Sequence, residues 1–394
     1  MASEIKLEDY HISEEVGFLM RDPLEKLPPY FQRWNELSKK VSHLVQKHQF
    51  RDEIDTLPVL DHTVLRGHRQ KRLAHLQLSL MTSGYVWQEG PNNPPKYLPA
   101  GLAIPLWEVS QEIGVPPVIG YSSLFIVNWG KNDENRGLEL ENIRCLYTPY
   151  FHPDVLNFFS VTLRMEMDFG PAAKGIVDGL KCIAEDNEEG LMSALGRIEK
   201  SLGQMKNTFS KVHTLTSPEV FFTKLVPYFN GFGEEGSPLP NGLIFEGVSS
   251  TPVKAPRASG AMTCTLQATD AFLGVKHNPE ARMFMESIRK SFTPCHKKFV
   301  EKLESMPSTR DYVNRSENEF LKVAYDDCLS ALVDFRNYHI RIVAKYVIVV
   351  GAKERKKDKT MINPFPKSPE GAYPMPLLKK IRSESDESKS LQNK

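Results

Sequence analysis

The chain has 394 residues, 40% hydrophobic and 25% charged, enough for a sizeable core and for two domains. Its 50 basic and 49 acidic residues nearly cancel, so no long-range field directs it to nucleic acid or to an anionic membrane, and a small or buried ligand is the expected partner. Five scattered cysteines, Cys145, Cys182, Cys264, Cys295 and Cys328, include no CxxC pair, which argues against a disulfide framework or a zinc knuckle.

The opening MASEIKLEDYHISEEVGF is acidic and lacks a basic segment leading into an apolar one, so no secretory signal is expected and the cytoplasm is the expected compartment. Residues 1–149 are mixed and punctuated by proline. Helical patterns in LEKLPPYFQRWNELSKKVSHLVQKH and RGHRQKRLAHLQLSLMTSGYVW alternate with turns at DTLP, GPNNPP and GVPP, which predicts a small N-terminal domain. From 150 to 352 long helices dominate. The clearest carries Leu191, Leu195, Ile198, Leu202, Met205, Phe209 and Val212 in alternating steps of four and three, one continuous stripe for the core of a large helical domain.

Residues 229–260, FNGFGEEGSPLPNGLIFEGVSSTPVKAPRASG, read as loop. Their GFGEEG matches GxGxxG formally, but SPLPNG follows where a helix is needed and two glutamates would repel phosphates, so no nucleotide site is expected. Helical pattern resumes from about 267. The last long helix opens with Ser316 and Glu319 in capping-box spacing and runs to about 350. Its apolar end, YVIVVGA, is too short to span a bilayer. Residues 353–394 are charged and proline-bearing and predict a mobile tail. The fold class is mostly α.

Within DFRNYHIRIVAKY, the residues Leu332, Phe335, His339, Val343 and Tyr346 fall three or four apart and share one helix face, so His339 faces the core. Two readings compete: a neutral histidine satisfied by a buried partner, or an imidazole offered to a metal or haem iron. By spacing alone the first is the commoner outcome, because buried polar groups usually find partners. Single-point axial ligation suits the context, since no second donor stands at ligand spacing and Arg336, one turn back, can pair with a haem propionate or with an acid such as Asp270. The pairs His43 with His48 and His68 with His75 are too far apart along a helix to chelate jointly. His296, in SFTPCHKKF, reads as structural, with a second haem contact as its alternative.

Over nearly its whole length the chain resembles the indoleamine 2,3-dioxygenase family. The landmarks are YHISEEVGF, HRQKRLAHLQLSLMTSGYVWQEG, VPPVIGY followed by NW, LPNGLIFEGV, AFLGV, PCHKKF and RNYHIRIVAKY, in family order. The resemblance implies a large C-terminal helical domain holding one haem b, a smaller mixed N-terminal domain over the distal side, and His339 as the proximal iron ligand. Cofactor-contacting roles fall on Arg336, Ser259 and Arg257. The matching distal positions are Tyr121, Phe125, Phe158, Thr162, Phe221 and Val226; spacing alone would place these aromatics in the core.

Family members add O2 across the indole C2–C3 bond of L-tryptophan to give N-formylkynurenine. Here the elements that anchor the substrate depart from the family. Val226, followed by Pro227, stands where the family has an arginine for the substrate carboxylate, and valine offers no guanidinium fork. The family's Gly-Gly-Ser-Ala loop reads Arg257, Ala258, Ser259, Gly260, and its Gly-Thr-Gly-Gly-Thr element aligns with SPEGA, residues 368–372. A buried carboxylate without its charged partner costs roughly 2–5 kcal/mol. Phe125, bulkier than the usual residue, narrows the indole pocket.

The reading is a haem b protein that binds O2 at ferrous haem, myoglobin-like in the manner of the molluscan myoglobins resembling this family, with weak or lost tryptophan turnover. It needs an electron donor to stay ferrous. The alternatives are an active dioxygenase of low affinity, with Arg257 replacing the lost arginine, and a haem-free helical scaffold.

Overall fold

The computed structural model describes residues 5–235, 237–357 and 375–390. In the N-terminal half, α1 (Gln32–Gln46) buries Trp34, Leu37, Val41 and Val45 at helical spacing. It packs on α2 (Gly67–Trp87), where every side chain from Arg72 to Trp87 is buried. Such a helix has no solvent face, so it runs through the middle of its layer. On its other flank lies α3 (Ala100–Ile113), stopped by Gly114 in the left-handed region at φ 67°.

Extended structure is sparse. Tyr97–Leu98 pairs in parallel with Ile244–Phe245, and Gly130–Lys131 pairs antiparallel with Ile143–Arg144.

The second half is helical as expected. After α4 (Pro153–Met167) and α5 (Gly170–Ala184) comes α6 (Glu188–Ser210), whose predicted stripe from Leu191 to Phe209 is buried throughout. That stripe packs against α5 on one side and the long helix on the other. Four helices follow: α7 (Cys264–Leu273), α8 (Pro279–Arg289), α9 (Pro294–Glu304) and the long α10 (Glu319–Val343). A single hydrophobic cluster, from Ile5 to Tyr346, joins elements on both sides of residue 150.

Three local expectations change. The long helix is capped by Asn318, whose Oδ1 accepts from Phe320 N at 3.0 Å and Leu321 N at 3.3 Å, while Ser316 is spent on Glu188. An amide reaches two orphan N–H groups at once, which makes it the stronger cap here. At its far end, α10 does not run straight to 350: Ala344–Val349 forms a wide π-type turn before Val350–Lys357 resumes. The charged C-terminal stretch, expected to be mobile, instead folds residues 375–390 back as α11 (Met375–Asp386), which lies along α10 and buries Ile381 and Ser385.

Candidate functional site

Irregular backbone gathers around one cavity. A second π-type turn, Phe221–Leu225, passes into a 3₁₀ turn at Val226–Phe229 with Pro227 near its start, so the predicted bend is present. Wide turns of this kind widen the helix and re-aim side chains, and they recur at functional sites. Here both π turns deliver wall residues to the same space, Phe221 from one and Tyr346 with Val347 from the other.

The rest of the wall comes from three places. Phe158 and Thr162 project from α4, four residues apart on one face. Tyr121 and Phe125 come from the short helix at Tyr121–Leu124 and its cap, stacked in a tilted pair with centroids 4.7 Å apart. Arg257, Ser259, Gly260 and Thr263 come from the end of the long loop. Gly231 lets that loop close, since a Cβ there would stand 2.3 Å from Ala255 O. Every distal residue named from the sequence therefore lines one cavity. The aromatic chain continues from Phe158 to Phe221 at 4.8 Å and from Phe221 to Tyr346 at 5.8 Å. Thr162 Oγ1 donates to Phe158 O at 2.8 Å within its own helix, so its hydroxyl is satisfied without a ligand.

His339 is the one histidine in this lining. Burial, with the nearby Arg336 charge, pushes its imidazole down to about 4, so it is neutral near pH 7. Neither ring nitrogen has a protein hydrogen-bond partner among the described residues, and a Cβ added to Gly260 would stand 4.0 Å from Nε2. A neutral ring whose lone pair is uncommitted and which borders an apolar space is chemically a ligand in waiting. The buried-partner reading loses its premise.

Arg336 goes elsewhere. Its Nη2 donates to Asp270 Oδ2 at 2.5 Å and its Nη1 to Ser385 Oγ, and it is absent from the cavity wall. Of its two expected partners the acid is the one found, and the propionate contact is withdrawn. Asp270 also meets His277 Nε2 at 3.3 Å, and His277 Nδ1 meets Glu384 Oε2 at 2.7 Å. This buried chain of charges pins α11 to α10, and α11 adds Leu378 to the cavity wall.

His296 is fully buried with its ring edge-on to Phe18 at 5.0 Å, and it does not line the cavity. His75 is likewise internal, with Ser123 Oγ at 2.7 Å and Pro116 O at 3.0 Å. The SPEGA element lies outside the described residues. Sequence reasoning missed Leu378 and a carboxyl behind the wall, Glu166. The signal for Glu166 was available, because it falls one helical turn after Thr162 in an otherwise apolar run.

A family model for indoleamine 2,3-dioxygenase matches residues 6–393. The chain belongs to the indoleamine 2,3-dioxygenase family. It is 36% identical over 395 residues to indoleamine 2,3-dioxygenase 2 of Homo sapiens, covering 98% of this chain and 96% of that one. It is 33% identical over 386 residues to a myoglobin of Haliotis madaka, covering 98% and 99%. An indoleamine 2,3-dioxygenase of Saccharomyces cerevisiae is 32% identical over 374 residues, covering 87% and 80%.

Indoleamine 2,3-dioxygenase family proteins bind haem, one haem b per chain. The residues present fit such a group: a neutral imidazole without a partner, aromatic and aliphatic walls for the macrocycle, and Arg257 with Ser259 where an anionic edge needs donors. No helix among the described residues is long and apolar enough to cross a membrane.

Proposed function

We propose that His339 holds the haem iron from α10 and that this protein is a reversible O2-binding member of the indoleamine 2,3-dioxygenase family with weak or lost tryptophan turnover. When bound, the haem supplies ferrous iron for O2, and an external electron donor keeps it reduced. The protein supplies the surroundings. Tyr121, Phe125, Phe158 and Phe221 make a wall that excludes water, and Ser259 and Arg257 face the haem edge.

Val226 carries this reading. It is buried at 1% exposure in the cavity wall, at the position that the sequence comparison gives to the carboxylate-binding arginine. An amino acid entering here finds an apolar side chain where its carboxylate needs a guanidinium, at a cost of roughly 2–5 kcal/mol. One observation favours the second reading, a tryptophan-cleaving enzyme of low affinity: Arg257 lies in the same wall. Its backbone N donates to Glu234 Oε1 at 3.2 Å, which holds that stretch of loop in place.

Optical spectra of the reduced protein under air, with and without L-tryptophan, separate the two. A persistent Soret band that tryptophan leaves unchanged supports O2 binding. Accumulation of N-formylkynurenine at micromolar tryptophan overturns it in favour of the enzyme, and a colourless protein overturns both.

A further inference from the structure

Glu166 is the buried acid the preceding reading leaves unused. At 1% exposure on α4, it makes no ion pair among the described residues and is held by hydroxyls alone. Tyr121 Oη donates to its Oε1 at 2.5 Å, Thr263 Oγ1 to the same oxygen at 2.8 Å, and Thr265 Oγ1 to Oε2 at 3.0 Å. Tyr121 and Thr263 line the haem cavity; Glu166 and Thr265 do not. The carboxyl thus sits one hydrogen bond behind the wall, joined to it by two hydroxyls.

Its surroundings are otherwise uncharged. The titratable groups that face it are Tyr121 and Cys264, both pushed well up by burial and by Glu166 itself. On its own helix Arg164 and Asp168 are paired with each other at 2.5 Å. Arg289, on α8, is committed to Gln267 and Glu304. Burial without a cation raises the Glu166 carboxyl, opposed by its three hydroxyl donors.

Donor counting then gives the consequence. An ionised carboxylate is acceptor-only, so it takes the proton of each hydroxyl and turns all three away from the cavity. A protonated carboxyl must donate its own hydrogen. One hydroxyl becomes its acceptor, and that hydroxyl's hydrogen has to point elsewhere.

We propose that Glu166 is a positioning residue for the haem cavity: ionised, it draws the hydroxyl protons of Tyr121 and Thr263 away from the bound ligand, and on taking up a proton it releases one of them toward it. The proton comes from solvent and nothing is oxidised or reduced. The effect is a cavity that gains a donor as pH falls. This rests on haem occupying the cavity over His339.

The test uses carbon monoxide on the reduced protein as the probe, because its stretching frequency responds to a nearby donor. Wild type shows two C–O bands that exchange with one midpoint, above the ordinary glutamate range. Glu166→Gln shows a single band at all pH values. Tyr121→Phe keeps the carboxyl titration but loses part or all of the exchange, and it carries the test should Glu166→Gln fail to fold. Exchange at the wild-type midpoint in Glu166→Gln overturns the proposal.

A second arm needs no haem. In pH-difference infrared spectra of the haem-free protein, a protonated carboxyl band is present in wild type and lost in Glu166→Gln. Its presence with no haem retained means that the haem reading has failed while Glu166 titrates as described. Its absence overturns the proposal whatever the haem content.

Discussion

A single side chain decides whether iron is held. His339 has no hydrogen-bond partner to lose, so replacing it leaves the surrounding structure largely intact while removing the donor. His339→Ala is expected to abolish the Soret band while far-ultraviolet circular dichroism stays unchanged; full haem retention would refute the assignment. Val226→Arg tests the converse. It restores a cation to the wall and should tighten tryptophan binding by about tenfold or more, read as a spectral titration, since a charge-assisted bond contributes about 1.5–3 kcal/mol. The π turn beside Val226 has to rearrange for the longer side chain, which sets the gain toward the lower figure.

Helices near the site are tied by a buried electrostatic chain, and the predictions at this scale concern α11. Asp270 and Arg336 are both nearly inaccessible, with side-chain exposures of 4% and 6%. Removing one partner strands the other charge. Arg336→Ala is expected to cost about 3–5 kcal/mol in urea unfolding and to detach α11, exposing Leu378 and the chain beyond residue 357 to protease. His277 adds a pH dependence. Burial alone would lower its imidazole, but Asp270 and Glu384 more than offset that and raise it above 6.5. A raised folded value favours the charged form, so its stabilisation is complete below 6.5 and is lost as pH rises through the higher folded value. The stability of wild type should fall across that window, and His277→Gln should flatten the fall; an unchanged slope would exclude His277 as its source. None of this chain was visible in the sequence except Asp270 with Arg336, because the other members lie up to 114 residues from Asp270, at Glu384.

For the whole molecule, haem is a ligand of the folded state only. At a hundredfold excess over its dissociation constant such a ligand adds about 2.7 kcal/mol. Stripping the haem should therefore lower the thermal midpoint measurably, and the difference should vanish in His339→Ala. An equal midpoint with and without haem would mean that the cavity does not hold it.

What the sequence determined by itself is the periodic and the covalent. The α6 stripe, the helical face carrying His339 and the substitution of valine for arginine were legible because helix spacing and side-chain chemistry are local. The capping of α10 was misassigned to Ser316 because Ser316 and Asn318 are both plausible caps until Glu188, on another helix, claims the serine. The tertiary structure alone decided which residues share the cavity, that Arg336 turns to Asp270, that α11 packs back with Leu378, and that Glu166 meets Tyr121 and Thr263. These depend on close approach between segments distant along the chain, and a carboxyl in an apolar helix carries no mark of whether its partners will be hydroxyls, a cation or water. Only folding brings the three hydroxyls to it.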